Sequence, residues 1–590
     1  MSQEGWLGYY NLDTKDNRTI RPTESDVKHR YNWNAALAID PFNASTIYYG
    51  SQFVHKSTDK GLTWTIISPD LTTNDPDKQK QSESGGLSRD VTGAENYTTI
   101  ISISPSRVKQ GVIWVGTDDG NIQVTKDGGK SWDNVSKYLI DEEMLPKFAW
   151  IPRVKASKHN AATAYAIAND YRRNNWSKYI FVTHDYGQTW NNLAKSNIDG
   201  FARTIVEDPV DKNLLFVGTE FGLYYTIDGG NNWTKWTNGF PTAPVLGLKI
   251  QERENDLVIG TYGRGVFIID DITPFRELSK KLLDKKSHLF KISDTYLYRY
   301  FGTGEPPSYG AGSTAFMGKN RMYGAYFNYY LNLPDSIKKL IDTPKEKKST
   351  IKIMSMDSTV IRTYKGTMKD GINRIAWDLR EKAFKSPYRK DKSGEDRGGL
   401  RVMPGTYIVD ITAGDQKLSS TFIVKPDPRF KFEQTIEKKN YDFNVEKGKL
   451  SEKVANVYEQ IEKTIKSIDT FVSFSKDQDS IKNKDIRNAA DSLKKELTKL
   501  RNKFVPDRDR VGYWDNTGIL MNDLGELNYI NYHTSGPPSQ NAIVKFDKVK
   551  ELANKLFAEY NTVYNTDVKN FEEKIKSSGF TIFNKFEEIK

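Results

Sequence analysis

The segment Thr125-Lys-Asp127-Gly-Gly129-Lys-Ser-Trp132 decides the fold, because its pattern Ser/Thr-x-Asp-x-Gly-x-x-Trp occurs four times in the chain. Successive aspartates of the four copies lie 68, 58 and 43 residues apart. A short pattern that returns at intervals of this size is typical of a repeat architecture. The defining residues of the four copies are Asp59, Gly61 and Trp64; Asp127, Gly129 and Trp132; Asp185, Gly187 and Trp190; and Asp228, Gly230 and Trp233.

Each residue that recurs in the four copies of the pattern has a structural explanation. An aspartate side chain accepts backbone N–H bonds inside its own turn. The glycine adopts positive φ without strain, and the tryptophan packs back onto the sheet and buries a large apolar area. We therefore predict that the pattern stabilises a hairpin. Catalysis would instead require groups that converge at one place.

Strand-like runs surround every copy of the pattern. Residues 112–117 and 121–125 are an example, two apolar runs joined by a turn that contains Asp and Gly. Such runs indicate an antiparallel meander, and one meander per repeat favours the blades of a β-propeller. We count about five blades in residues 30–271, of which the last, around residues 257–270, lacks the pattern.

The four copies resemble the Asp-boxes, or BNR repeats, of sialidases, sortilin-type (Vps10) propellers and tandem-propeller xyloglucanases. Residues 67–74, 116–120, 261–265 and 377–380 are also similar to a family of large secreted bacterial proteins, frequent in Bacteroidetes. Its members are often labelled glycosyl hydrolase or sortilin-like. The resemblance covers nearly the whole chain. It implies the WD40/YVTN/BNR-like fold of the sialidase superfamily and a place in the cell envelope or outside the cell.

The resemblance also raises a question about the N-terminus. Family members carry a signal peptide and several hundred further propeller residues, whereas the first residues, MSQEGWLGYYN, have neither a basic nor an apolar signal region. Asp-box propellers of the related families close with six or more blades. We therefore expect the chain to be the C-terminal portion of a longer protein, with an N-terminal propeller half as a partner, or to close unusually.

Composition excludes several classes of function. The chain has 590 residues and no Cys, which excludes disulfides and zinc–thiolate sites. No apolar run is long enough to span a membrane. The six His lack metal-ligand spacing and no phosphate-binding loop is present, so we expect neither a metal nor a cofactor. The net charge of +11 comes from residues 276–430, which alone carry +13, so we expect no nucleic-acid partner.

We predict three domains and a mainly β fold. Residues 1–275 form the Asp-box β-propeller, which the blade count predicts to be partial. Residues 276–430 form a β-sandwich with a loop-rich entry, similar to the Ig-like domain related to the flagellar hook-cap protein. Residues 431–590 carry three apolar stripes at helical spacing, which predict a helical bundle.

The loops that follow the central strands of consecutive blades line one mouth of a propeller. We predict that charged and aromatic residues in these loops bind a protein or a glycan. The candidates for ligand binding are Asp118, Asp119, Arg172, Arg173, Trp176, Glu220, Tyr262 and Arg264.

No catalytic residue is assigned. The order Trp150-Ile-Pro-Arg153 differs from the Arg-Ile-Pro signature of sialidases. If the protein is a hydrolase, which needs two carboxylates at fixed separation, Asp118, Asp119, Glu220 and Glu95 are candidates. Our first hypothesis is a non-catalytic, protein- or glycan-binding scaffold of the bacterial cell envelope. The alternatives are a glycoside hydrolase resembling the tandem-propeller xyloglucanases, and a secretion or assembly factor.

Overall fold

A computed structural model describes residues 5–23, 26–80, 96–298, 321–335, 348–387, 398–476, 481–506, 515–530 and 536–578. Contacts divide the chain into two compact units, of which the first ends at Asp284 and the second begins at Lys285. The division into three domains predicted from the sequence stays a prediction.

The first unit is built almost entirely of short strands. Its strands are β1 (Gly8–Tyr10), β2 (Asn17–Thr19), β3 (Leu37–Ile39), β4 (Ile47–Gly50), β5 (Val54–Ser57), β6 (Thr65–Ile66), β7 (Ile100–Pro105), β8 (Ile113–Thr117), β9 (Ile122–Thr125), β10 (Asp133–Asn134), β11 (Trp150–Ala156), β12 (Ala164–Asp170), β13 (Asn175–Thr183), β14 (Asn191–Asn192), β15 (Ala202–Glu207), β16 (Leu215–Thr219), β17 (Gly222–Thr226), β18 (Thr234–Lys235), β19 (Val245–Gln251), β20 (Asp256–Thr261) and β21 (Val266–Ile269). Its helices are α1 (Ser136–Asp141), α2 (Thr273–Glu277) and α3 (Lys280–Leu283), and 3-10 turns lie at Pro76–Gln79 and Tyr171–Arg173.

Consecutive strands pair into antiparallel meanders. After the β1–β2 hairpin come four four-stranded sheets, β3–β6, β7–β10, β11–β14 and β15–β18, and then the three-stranded sheet β19–β21. We call these five sheets blades 1 to 5. The first strands of consecutive blades contact one another, so they form the innermost row of the unit. The prediction of several four-stranded sheets arranged like propeller blades is confirmed.

The four turns that carry the repeated pattern, which we call the aspartate turns, share one set of hydrogen bonds. In the turn of blade 2, the Thr125 hydroxyl donates to Asp127 Oδ1 at 2.8 Å and accepts the N–H of Gly129 at 3.0 Å. Asp127 Oδ1 also accepts the N–H of Ser131 at 3.0 Å. The glycine has φ near +103°, where other residues are strained. The same bonds recur in blades 1, 3 and 4.

The tryptophans of the turns pack between blades, which corrects the expectation that each packs back onto its own sheet. The indole N–H of Trp132 donates to the carbonyl of Ile67 at 3.0 Å, and that of Trp233 to Leu193 at 3.0 Å. Ile67 and Leu193 each follow the last strand of the preceding blade. These two turns therefore each join two successive blades. Trp190 contacts Trp114 edge to face instead, and its indole nitrogen has no hydrogen-bond partner.

The same docking position is used before the first aspartate turn and after the last one. At blade 1 the β1–β2 hairpin supplies Ile20, whose carbonyl accepts the indole N–H of Trp64 at 2.9 Å. At blade 4 the equivalent residue is Trp236, which follows β18 and contacts Phe275 of α2 at 5.6 Å. The hairpin and α2 thus cover positions that a neighbouring blade covers elsewhere.

The second unit combines two sheets with a C-terminal helical region. Its strands are β22 (Ser287–Leu289), β23 (Thr295–Leu297), β24 (Ala325–Leu331), β25 (Ser349–Ser355), β26 (Val360–Gly366), β27 (Gly371–Trp377), β28 (Gly405–Ala413) and β29 (Gln416–Pro426). A three-stranded sheet, β22-β24-β27, and a five-stranded sheet, β23-β29-β28-β25-β26, share one hydrophobic core. Phe327 and Trp377 of the first sheet contact Phe422 of the second.

The predicted C-terminal helical region is present. Its helices are α4 (Gln434–Lys476), α5 (Ile481–Phe504), α6 (Leu520–Ile530), α7 (Gln540–Val563) and α8 (Lys569–Ser577), with a π-helical turn at Tyr564–Val568. The three predicted stripes lie on α4, α5 and the α7–α8 segment and meet in one core. The sequence did not predict α6, whose Leu520, Leu524 and Leu527 join that core. No helix among the described residues is long and apolar enough to cross a membrane.

Candidate functional site

A small cleft lies where the connections of blades 1, 2 and 3 meet. It encloses about 100 Å³. Its residues come from the connection between blades 1 and 2, the β8–β9 turn, the start of β11, and the end of β12 with the turn that follows. The cleft is lined by Lys78, Tyr97, Asp118, Phe148, Trp150, Asn169, Asp170, Arg172 and Arg173.

Asp118 is fully buried and fixes the segment that carries Tyr97. Its carboxylate accepts the N–H of Thr99 at 2.8 Å, the hydroxyl of Thr99, and the amide of Asn32 at 3.2 Å. Burial raises the pKa of Asp118 to about 7, and the bonds from Thr99 and Asn32 oppose that rise. Desolvation therefore outweighs the hydrogen bonds in setting the pKa of this carboxyl group.

Asp119 fixes the neighbouring segment, which carries Lys78. It is buried, and its Oδ2 accepts the N–H of Thr73 at 2.6 Å and the Thr73 hydroxyl at 2.7 Å. Gln79, next to Lys78, donates to Thr98 Oγ1 at 3.1 Å. Asp118 and Asp119 thus act as positioning residues, because each ties a loop between two blades to the β8–β9 turn.

The backbone around the cleft is strained. Thr98 has φ +57° and Phe148 has φ +66°, values that are rare for a β-branched or bulky residue. The Thr98 carbonyl accepts Nε of Arg30 at 3.2 Å. A Cβ atom on Gly120 would lie 2.8 Å from Cα of Phe148, so only glycine fits at that point. Such strain persists only where the surroundings enforce it, and it concentrates at functional sites.

Two cations of the cleft lie over aromatic rings. Lys78 Nζ is 3.4 Å from the centre of the Phe148 ring, and the Arg172 guanidinium is 4.0 Å from that of Trp150. Partly desolvated pairs of this kind are worth about 0.5–2 kcal/mol each. They hold the positive groups at the cleft wall, where Arg172 Nη1 also donates to Asn169 Oδ1 at 3.5 Å.

The ion pair between Arg173 and Asp170 lines the cleft as well. Arg173 Nε donates to Asp170 Oδ1 at 2.6 Å, and its Nη2 donates to the carbonyl of Lys147 at 2.7 Å. Asp170 is buried, whereas Arg173 is largely exposed. This pair joins blade 3 to the connection that precedes it.

An aromatic platform continues from the cleft towards blade 4. Tyr171 stacks on Phe201 at 4.7 Å between ring centres, and Trp176 lies 5.9 Å from Phe201 with 59% of its surface exposed. Arg203 lies over the Phe201 ring and donates to Glu220 Oε2 at 2.7 Å. We call Tyr171, Phe201 and Trp176 the platform. It is continuous with the cleft because Arg172 lies 4.6 Å from the Tyr171 ring centre.

The structure thus groups some of the predicted binding residues and separates others. Asp118, Arg172 and Arg173 line the cleft, Asp119 lies behind it, and Trp176 and Glu220 lie at the platform. Tyr262 and Arg264 lie in the exposed β20–β21 turn, and among the described residues no hydrogen bond, ion pair or ring contact joins them to either group. Glu95 lies outside the described residues.

The sequence prediction missed most of the cleft lining. The missed residues are Lys78, Tyr97, Phe148, Trp150, Asn169 and Asp170. An available signal was the basic and aromatic run 147–150, but it lies between two repeats rather than within one. Within the described ranges, no three His, Asp or Glu side chains are arranged to hold a metal ion.

No family model matches the chain, and no curated protein matches it by sequence. Solved structures with similarity include the GH74 xyloglucanase of Xanthomonas campestris, at 18% identity and TM-score 0.29 over 39% of this chain and 36% of the enzyme. The GH74 enzyme of Niastella koreensis gives 16% and 0.31 over 69% of this chain and 59% of the enzyme.

A third similar structure is PorZ, a bacterial surface component of the type-IX secretion system of Porphyromonas gingivalis. Its identity is 12% and its TM-score 0.24, over 70% of this chain and 62% of PorZ. The chain spans less than two thirds of the length of each of these three proteins. We transfer no residue role from them, because every TM-score is well below 0.5.

Proposed function

We propose that the protein is a non-catalytic binding protein of the bacterial cell envelope, and that the cleft and the platform together bind an anionic glycan or an anionic protein segment. The observation that carries this proposal is the grouping of Lys78, Arg172 and Arg173 with aromatic rings in one cleft. Guanidinium and ammonium groups bind carboxylate, sulfate or phosphate, and exposed rings stack on sugars or side chains.

Two features support binding over catalysis. Asp118 and Asp119 receive hydrogen bonds from the backbone of Thr99 and Thr73, so each carboxylate has a structural role that requires no substrate. Glu220 is paired with Arg203. Pre-organised side chains favour binding, since little conformational entropy is lost when a ligand arrives.

The binding proposal is tested with Arg172→Ala and Trp176→Ala in the whole protein, on arrays of acidic glycans and acidic peptides. We expect the wild type to bind at least one class, and each variant to bind it about tenfold or more weakly. Arg253→Ala is the matched control, because Arg253 is exposed in the β19–β20 turn and contacts neither the cleft nor the platform. Equal binding by all four proteins would refute the proposal, as would a wild type that binds neither class.

A glycoside hydrolase is the second candidate, and one observation favours it. Asp118 lines the cleft with a pKa raised to about 7, and Asp170, in the same cleft, is paired with Arg173. Two carboxylates in contrasting environments are what an acid and a base require. Reducing ends released from a polysaccharide by the wild type, and lost in Asp118→Asn with binding retained, would establish hydrolysis in place of the first proposal.

The finer assignments rest on the sequence resemblance. We propose that the chain is part of a Bacteroidetes-type Asp-box protein with a secreted or envelope location, and that the two-sheet body of the second unit is an Ig-like accessory module. The aspartate turns and the shared core of the two sheets support these assignments. In-frame coding sequence upstream of Met1 with a signal peptide and further Asp-boxes would support the first, and its absence would contradict it.

A further inference from the structure

Five basic side chains converge at the end of the blades opposite the cleft. Arg153 and Lys155 lie on one face of β11, because alternate residues of a strand point the same way. Lys249 lies on β19, which is also an innermost strand. Arg107 and Lys158 lie in the turns that follow β7 and β11. We call these five residues the inner basic cluster.

Only one carboxylate among the described residues pairs with this cluster. Glu252, in the β19–β20 turn, accepts Nη1 of Arg107 at 2.5 Å and Nζ of Lys158 at 3.4 Å. Glu207 lies nearby on β15, but its carboxylate accepts hydrogen bonds from the hydroxyls of Ser157 and Tyr165 and from the N–H of Lys158. Counted with both Glu252 and the neighbouring Glu207, the five cations of the described cluster leave a net charge of +3.

The three residues on the strands have no carboxylate partner within the described ranges. Arg153 donates to the carbonyl of Pro152 at 2.9 Å, while the ammonium groups of Lys155 and Lys249 have no hydrogen-bond partner there. Lys155 is half-buried. Burial lowers its pKa to about 8, and the charges of Arg153, Lys249 and Lys158 act in the same direction. Like charges held together in this way destabilise the protein unless an anion offsets them.

We propose that the inner basic cluster binds a tetrahedral oxyanion, phosphate or sulfate, free or as the terminal group of a small molecule. Its negative charge and its several acceptor oxygens suit two ammonium groups and a guanidinium, which supply charged donors. This site is separate from the cleft, because the turns after β7, β11 and β19 lie at the other end of the blades from the β8–β9 turn. It does not depend on the proposed function.

The test is calorimetric titration of the whole protein with inorganic phosphate and, separately, inorganic sulfate, at constant ionic strength set with chloride. We expect saturable binding of at least one of the two anions and a rise in melting temperature that chloride does not produce. Lys155→Met should weaken binding about tenfold or more, because one charged hydrogen bond is lost. It should also raise the melting temperature without phosphate or sulfate, since it relieves repulsion.

Two further variants keep the test decisive. Lys249→Met, at an exposed position, replaces Lys155→Met if that variant does not fold, and should also weaken binding. Lys130→Met is the matched control, because Lys130 is exposed in the aspartate turn of blade 2, and it should bind like the wild type. Equal binding by Lys249→Met and the wild type would overturn the proposal. So would equal stabilisation by phosphate, sulfate and chloride, which would indicate general screening.

Discussion

The aspartate turns and the cleft both depend on aspartates that accept several hydrogen bonds, yet their environments give opposite results. Asp59 lies in a solvated turn, where the N–H of Thr63 and the hydroxyls of Ser57 and Thr63 lower its pKa to about 2. Asp118 receives a similar set of donors, but burial outweighs them and raises its pKa to about 7. For these two aspartates, desolvation rather than the number of hydrogen-bond donors therefore decides whether the pKa is raised or lowered.

The comparison also separates structural from functional residues. The aspartate turns repeat in four blades, and the tryptophans of blades 2 and 4 bond to the preceding blade. The cleft occurs once and draws its residues from several connections. A residue type that recurs in every repeat serves the fold, whereas a residue that occurs in one blade only is a better candidate for binding.

The largest expected effect is on stability, in Trp233→Ala. Trp233 is 3% exposed and packs on blade 3, so its truncation should lower the free energy of unfolding by about 3–5 kcal/mol. Trp176→Ala, at the exposed platform, is the control and should change it by less than about 0.5 kcal/mol. Urea denaturation of both variants measures the difference, and equal losses would show that the turns do not join the blades.

The second prediction concerns pH and the two kinds of aspartate. Because the pKa of folded Asp118 is raised, the protein loses stability as pH rises from about 4, the unfolded value, to about 7. Asp118→Asn removes this loss, so the stability of the variant relative to wild type should increase by about 3 kcal/mol over that range. Unfolding measured at pH 4.5 and 7.5 tests it.

The stability of Asp59→Asn relative to wild type should change with pH in the opposite direction. The pKa of folded Asp59 is lowered to about 2, so its contribution is present above pH 4 and lost as pH falls towards 2. The variant should therefore be less stable relative to wild type at pH 5 than at pH 2.5. If both variants changed in the same direction with pH, burial would not be what distinguishes the two sites.

Sequence analysis predicted the repeated part of the fold because its interactions are local. The hydrogen bonds of an aspartate turn join residues at most four positions apart, so they leave a pattern that can be read directly. The contact of Trp132 with Ile67 spans 65 positions, and no local pattern indicates it. The strands of the two-sheet body could be predicted because they are short apolar runs at regular spacing. Helix α6 could not, because it lies in a segment that contains Gly and Pro.

The cleft was harder to predict for the same reason. Asp118, Arg172 and Arg173 could be proposed because they follow blade strands, where propeller loops converge. Lys78 and Tyr97 come from a connection between blades, and their place depends on long-range bonds to Asp119 and Asp118. Tyr262 and Arg264 were proposed by analogy between blades, and their role in binding stays a prediction.

A smaller effect is expected when one aspartate turn is weakened. Asp228→Ala removes the acceptor for the N–H of Asn232, which lies at 2.9 Å, and should cost about 1 kcal/mol. Asp228→Asn retains an acceptor oxygen and should cost less. Thermal unfolding of the two variants measures the difference, and a larger loss in the asparagine variant would contradict the assigned role of the carboxylate oxygen.

The smallest effect is expected in Tyr262→Ala. Tyr262 is 73% exposed, so the free energy of unfolding should change by less than about 0.5 kcal/mol. Ligand binding should also be unchanged, because among the described residues no hydrogen bond, ion pair or ring contact joins Tyr262 to the cleft or the platform. The array used for Trp176→Ala measures this directly. If Tyr262→Ala weakened binding as much as Trp176→Ala, the ligand would have to reach blade 5. The binding surface would then follow the repeat around the mouth, and the contrast between repeated structural residues and a single local site would fail.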